Sequence, residues 1–335
     1  MNRQNVLDRV FGMVLGKIPF FSGGFGDFDM IEHLVKVPYD HPDVPEITVR
    51  WVGEPTHYGN VTGYVGMFTS PLAHELDVPS TVRTAFFELL VPSALPEGVD
   101  LPICIHLAAT SDQGFGARRR LALPLVREGI GALVLENPYY GWRRPKHQRY
   151  IAPNTLADQL LMNMATVQEA RGLLGWLRRH GFRRLGVTGY SMGGFGTAYT
   201  ASLTDFPIAV IPCAAGADPA FAFTGTEFER VIDWESLSQD ANARDVEDVR
   251  ELFIDIFSKL SLDHLPGPHD PDCAIIVAAR HDAVVPPEQA TALSEHWGVP
   301  IRWIEAGHIN GIWRGYSAYR GAILDAFALL LAKHG

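Results

Sequence analysis

Hydrophobic positions change their period along this chain, and the changes divide it into parts. Val6, Leu7, Val10, Phe11, Val14, Leu15 and Ile18 recur at helical spacing, with Asp8, Arg9 and Lys17 on the other face. The stretch is too short and too interrupted to span a bilayer, so it either docks on the folded body or lies at a membrane surface. Two apolar runs, 61–68 and 82–91, predict an antiparallel start. From residue 101 onward, short continuous apolar runs alternate with helical segments. Strands are expected at 101–107, 131–136, 184–188, 206–213, 273–279 and 300–305, and helices at 118–128, 155–179, 194–203 and 311–333. Eight strands of this kind predict a mostly parallel sheet with helices on both faces.

The alternation breaks from about 217 to 265, where the chain turns acidic and carries scattered aromatics at helix-compatible spacing. A helical insertion there overhangs the carboxyl ends of the strands as a cap. Phe221, Phe223, Phe228, Trp234, Phe253 and Phe257 either line an acyl pocket or, for most of them, form the cap's own core. The expected organisation is an amphipathic and irregular extension over 1–60, then one α/β domain over 61–335 that contains the cap.

Candidate chemistry centres on Gly189-Tyr190-Ser191-Met192-Gly193, placed between an expected strand and an expected helix. A serine on such a turn presents its hydroxyl at the top of a sheet, and flanking glycines let the backbone make the turn. A hydroxyl needs a base to attack at neutral pH, and the base needs a third group to orient it. On this architecture the partners follow in the order serine, acid, histidine, each after a later strand. Asp282 leaves the end of the 273–279 strand and His308 turns off the end of 300–305, so Ser191, Asp282 and His308 are the expected catalytic set. His281 is read as a loop histidine, and Asp270 and Asp272 precede their strand, at the wrong end of the sheet. The Met192 amide, with that of Ala108 or Ala109 after the 101–107 strand, is the expected oxyanion hole.

A second concentration of polar residues runs from Glu136 to Arg149, again leaving the carboxyl end of a strand. Arg143, Arg144 and Lys146 beside Tyr139, Tyr140 and Trp142 suit a phosphate or carboxylate on a substrate. Equally, such arginines pair with neighbouring carboxylates and fix loop geometry. Arg118, Arg119 and Arg120 are expected as a solvated helix face or as loop anchors.

Composition narrows the partners. The 335 residues are 47% hydrophobic and 20% charged, with a net charge of −10. These are globular values, and the acidic balance argues against nucleic acid as a partner. Cys104, Cys213 and Cys273 fall in expected strands as small buried residues, with neither a disulfide framework nor metal-ligand spacing. No secretory signal or membrane-spanning helix is evident, so a cytoplasmic protein, peripheral to a membrane if the N-terminal helix binds one, is expected. The chemistry requires no metal or organic cofactor.

Several of these segments together resemble the abhydrolase domain-containing protein 18 family of α/β-hydrolases. The resemblance runs from about Thr62 to the C-terminus. It rests on Ser70-Pro71-Leu72-Ala73-His74, Ile105-His106-Leu107-Ala108 with Arg118-Arg119-Arg120, Glu136-Asn137-Pro138-Tyr139-Tyr140-Gly141, Ser191-Met192-Gly193-Gly194 and Gly307-His308-Ile309. It implies an α/β-hydrolase fold and a serine hydrolase of acyl esters, lipids or phospholipids foremost, with Ser191 as nucleophile, Asp282 as acid and His308 as base. Family members commonly carry glycine or histidine where this chain has Ala109, Ser111 and Phe195. Eukaryotic members look mitochondrial, but Asp8 and scarce arginines in residues 1–30 do not make a transit peptide. The expected reaction is ester hydrolysis through an acyl-enzyme. Amide or peptide cleavage by the same residues, and a non-catalytic binding protein of the same fold, are the alternatives.

Overall fold

The computed structural model describes residues 8, 19–40, 43–95, 99–241 and 246–335. Nine strands form one sheet: β1 (Arg50–His57), β2 (Val61–Thr69), β3 (Thr84–Pro92), β4 (Ile103–Leu107), β5 (Gly131–Leu135), β6 (Leu185–Tyr190), β7 (Ala209–Cys213), β8 (Ile276–Ala279) and β9 (Ile301–Ile304). Their order is β1-β2-β3-β5-β4-β6-β7-β8-β9. The hairpins β1–β2 and β2–β3 and the β3–β5 pair are antiparallel; every pair from β5 to β9 is parallel. The sheet thus has nine strands rather than the eight expected. The extra one, β1, is a largely exposed edge strand within the segment read as an irregular extension.

Alternate residues of the central strands serve the two faces, as the pleat requires. Ile103 and Ile105 of β4 join a core that contains Leu160, Leu173 and Ala198, while Cys104 between them joins Ile323 and Phe327 on the other side. The described helices of six residues or more are α1 (Phe28–Asp40), α2 (Gly116–Arg127), α3 (Leu156–Arg179), α4 (Met192–Ser202), α5 (Pro219–Thr224), α6 (Trp234–Asp240), α7 (Val246–Ser258), α8 (Pro287–Trp297), α9 (His308–Arg314) and α10 (Tyr316–His334). Helix α3 begins with a capping box: Thr155 Oγ1 accepts from Asp158 N at 3.1 Å, and an Asp158 carboxylate oxygen accepts from Thr155 N at 3.3 Å. The helix expected at 311–333 is broken at Gly315 into α9 and α10, which brings His308 to the start of the shorter piece.

The cap is helical, as expected, and its aromatics divide. Phe253 and Phe257 are fully buried and meet Phe21, Phe223 and Trp234 in a ring cluster, the cap's own core. Phe221 and Phe223 also border a cavity beside Ser191. The three cysteines are free and buried. Among the described residues no helix is long and apolar enough to cross a membrane. The amphipathic pattern over residues 6–18 lies outside the described residues except for Asp8, which is fully buried rather than on an exposed polar face.

Candidate active site

Strand β6 ends at Tyr190 and α4 begins at Met192, leaving Ser191 alone between them with φ 55° and ψ −117°. That left-handed region is costly for a residue with a Cβ, and it is held here by tight packing. The Ser191 amide donates to Cys213 O at 2.9 Å, and its carbonyl accepts from Phe195 N at 2.9 Å. The glycines permit the close approach. A Cβ on Gly189 would lie 2.4 Å from Gly193 O, and one on Gly193 would lie 2.6 Å from Leu107 O.

The loops after β8 and β9 bring the two expected partners to this turn. His308 Nε2 lies 2.9 Å from Ser191 Oγ, and His308 Nδ1 lies 2.7 Å from Asp282 Oδ2. The second Asp282 oxygen accepts from Val284 N at 2.9 Å and Val285 N at 2.7 Å, so the carboxylate is fixed. Tyr190 Oη donates to His308 O at 2.5 Å. Asp8 also reaches this place: its carboxylate accepts from the amides of Ala283, His308 and Ile309. Burial disfavours a charged imidazole, but the Asp282 carboxylate, by its charge and its hydrogen bond, and then Asp8 outweigh it. The His308 pKa is held above its ordinary value.

Two openings flank Ser191. On one side is an apolar cavity of about 90 Å³ bordered by Met192, Phe195, Ala222, Phe223 and Val285, under α5 of the cap. On the His308 side, an opening bordered by Ala109, Thr110, Tyr190, His308 and Ile312 shares four of these, all but His308, with a larger cleft of about 510 Å³. Met192 borders the first opening and Ala109 the second. Ala108 is fully buried against the turn and borders neither opening. Thr110, which borders both, was not singled out from sequence; its position next after the two alanines was the available signal.

Arg143 is not placed to meet a substrate anion beside Ser191. It is fully buried, and its guanidinium donates to both oxygens of Glu169 at 2.7 and 2.8 Å and to the carbonyls of Val82 and Glu136. Ser70 Oγ also donates to Glu169, at 2.5 Å, which gives Ser70 and Arg143 one shared structural task. Arg144 donates to the carbonyls of Gln148 and Arg149, and Lys146 is exposed; neither borders the openings around Ser191. The Glu136–Gly141 run instead shapes the loop that carries Ala109 and Thr110. Tyr140 Oη accepts from Ser111 N at 3.0 Å, and Glu136 Oε1 accepts from Gly114 N at 3.0 Å. Ser111 is held at φ 70°, where glycine is favoured. Arg118 is a buried loop anchor, ion-paired with Asp112 at 2.9 Å and donating to three carbonyls.

His281 pairs with Glu305 at 3.2 Å, away from the serine. Asp270 and Asp272 bind Lys333 before β8, at the opposite end of the sheet. Asp270, Cys273 and His334 come close enough to share a metal ion, but Asp270 already bonds Lys333 and His334.

A family model described as alpha/beta hydrolase domain containing 18 matches residues 18–246 and 239–329. The chain belongs to that family. The chain also shares its fold with solved structures at low identity. Acetyl xylan esterase 1 from Thermoanaerobacterium sp. JW/SL YS485 aligns at TM-score 0.60 and 15% identity, over 95% of this chain and 98% of that one. An acetyl xylan esterase from Paenibacillus sp. R4 gives TM-score 0.55 and 14% identity, over 91% and 98%. Pyrococcus horikoshii acylaminoacyl peptidase gives TM-score 0.52 and 14% identity, over 86% of this chain and 42% of that one.

Proposed function

We propose that this protein hydrolyses carboxylic esters through an acyl-enzyme formed on Ser191. The observation that carries the proposal is the hydrogen-bonded chain Ser191–His308–Asp282 at a strained turn that opens onto an apolar cavity. Ser191 Oγ attacks the ester carbonyl as its proton passes to His308 Nε2. Asp282, accepting from Nδ1–H, orients the ring and stabilises the imidazolium. The oxyanion is held by the Met192 amide with an amide of the Ala109–Thr110 loop. The carbon–oxygen bond then breaks, and Nε2 returns the proton to the departing alkoxide. Water, deprotonated by His308 in turn, attacks the acyl-enzyme and releases the acid and the free serine.

The two openings support an assignment of substrate halves. The leaving oxygen must lie next to His308 Nε2, so the alcohol occupies the His308 side and the larger cleft beyond it, while the acyl group enters the apolar cavity. At about 90 Å³ that cavity is small beside the roughly 300–1,000 Å³ of sites that enclose a drug-sized ligand. An acyl group of a few carbons fits it; a fatty chain of the kind implied by the family resemblance requires α5 to move aside.

The test is fluorophosphonate labelling of the protein and of Ser191→Ala, with p-nitrophenyl esters from acetate to palmitate and matching anilides. Labelling and turnover confined to the unaltered protein, greatest with short acyl groups, are expected. Faster anilide than ester cleavage would favour an amidase. A folded protein that neither labels nor turns over would exclude the enzymatic proposal.

A further inference from the structure

We propose that Asp8 is a positioning residue whose single carboxylate ties together the two loops that carry His308 and Asp282. The inference rests on the role proposed above for these two residues. Asp8 is 0% exposed. One of its oxygens accepts from His308 N at 2.8 Å and Ala283 N at 3.1 Å, and the other accepts from Ile309 N at 2.9 Å. Ala283 follows Asp282 in the chain, so the carboxylate grips the base's own amide and the residue next to the acid. The separation of these two backbones fixes the 2.7 Å contact between His308 Nδ1 and Asp282 Oδ2.

The chemistry of the three donors calls for a carboxylate. An ionised carboxyl group has acceptor sites for all three amides, whereas an asparagine would turn its own N–H₂ toward one of them. Burying a carboxylate is expensive unless it is well hydrogen-bonded, and no cation among the described residues forms an ion pair with it. A neutral residue would pack there at less cost, and its amide partners would then lose their acceptor. Asp8 precedes the first residue that the family model covers.

A second consequence is electrostatic. The groups around His308 are Asp282 from the loop after β8, Asp8, Ser191 and Tyr190 from the end of β6, and Tyr319 from α10, which donates to Gly311 O. Arg280 and His281 each pair with Glu305 nearer the surface. Asp282 and Asp8 are thus the two negative charges next to the imidazole, and both favour the imidazolium that forms as the Ser191 proton moves.

The experiment compares the full chain with Asp8→Asn and Asp8→Glu in ester turnover against pH, beside NMR titration of the His308 ring. With Asp8→Asn, kcat is expected to fall about 10- to 100-fold with KM little changed, the scale of a misplaced catalytic group. The His308 titration and the acid limb of kcat/KM should both move to lower pH. Asp8→Glu, which keeps the charge, should return the acid limb toward its original place. An Asp8→Asn protein with unchanged kcat and His308 titration would overturn the proposal while leaving the ester hydrolase intact. An unaltered protein without turnover would instead remove the proposed reaction, and the ring titration would still decide the role of Asp8. Should Asp8→Asn not fold, the amide protons of Ala283, His308 and Ile309 in the unaltered protein carry the test. Bonded to one buried carboxylate, all three should exchange slowly with solvent; fast exchange of any of them in the folded protein would overturn the proposal.

Discussion

Arg143 and Glu169 pair where neither side chain touches solvent, with Ser70 as a third member. Removing one partner leaves the other charge buried and uncompensated. Arg143→Ala is therefore expected to lose about 3–5 kcal/mol of stability in urea denaturation. A residue holding a substrate anion would behave oppositely, raising KM with little change in stability. His308 carries a second prediction at this scale. In the proposed reaction its neutral form accepts the Ser191 proton, and its pKa is raised, so kcat/KM should decline as pH falls through a value above the ordinary histidine pKa of about 6.5. A pH profile whose acid limb lies below that value would contradict the geometry. Ser191, Asp282 and His308 were legible because each sits at a fixed offset from a strand end, and strands show in the hydrophobic pattern. Asp8 was not, because its partners are backbone amides up to 301 residues away, which leave no trace in side-chain types. Arg143 could be read either way from sequence for a related reason: its identity is the same whether it faces a ligand or Glu169.

Most elements were visible as runs of the correct period. The interior strands β4 and β5 are buried at every position, which makes them continuous apolar runs in the sequence. Strand β1 was hidden because nearly all its residues are exposed, so no alternation marks it. Gly315 was equally hard to read, since one glycine within a helical pattern does not by itself announce a break. At the start of α3 the capping box is a local device with a local cost. Thr155→Ala should remove about 1 kcal/mol of stability, seen as a lowered Tm, without altering ester preference. The cap behaves differently, because α5 stands over the apolar cavity rather than in the sheet. Ala222→Phe on α5 should narrow the acyl preference toward acetate while leaving Tm near its original value, read from the p-nitrophenyl ester series.

Across the whole molecule, described residues well before β2 are built into the body. Phe21, Phe25 and Leu34 are fully buried in the same core as α3 and the cap. Burying three such side chains is worth roughly 5–9 kcal/mol, against about 5–15 kcal/mol for a typical folded protein. A chain beginning at Val61 is therefore expected to lack cooperative unfolding and to bind hydrophobic dye, as measured by circular dichroism and dye fluorescence. The bonds from Asp8 to His308 and Ile309 extend this closure to the site itself. They also bear on the order of synthesis. Asp8 leaves the ribosome before His308 and Ile309, and its acceptors are idle until that segment about 300 residues later emerges, roughly 15–60 s at 5–20 residues per second. A nascent chain can complete its serine turn long before it holds its histidine, so in the proposed reaction an unfinished or prematurely released product is chemically silent.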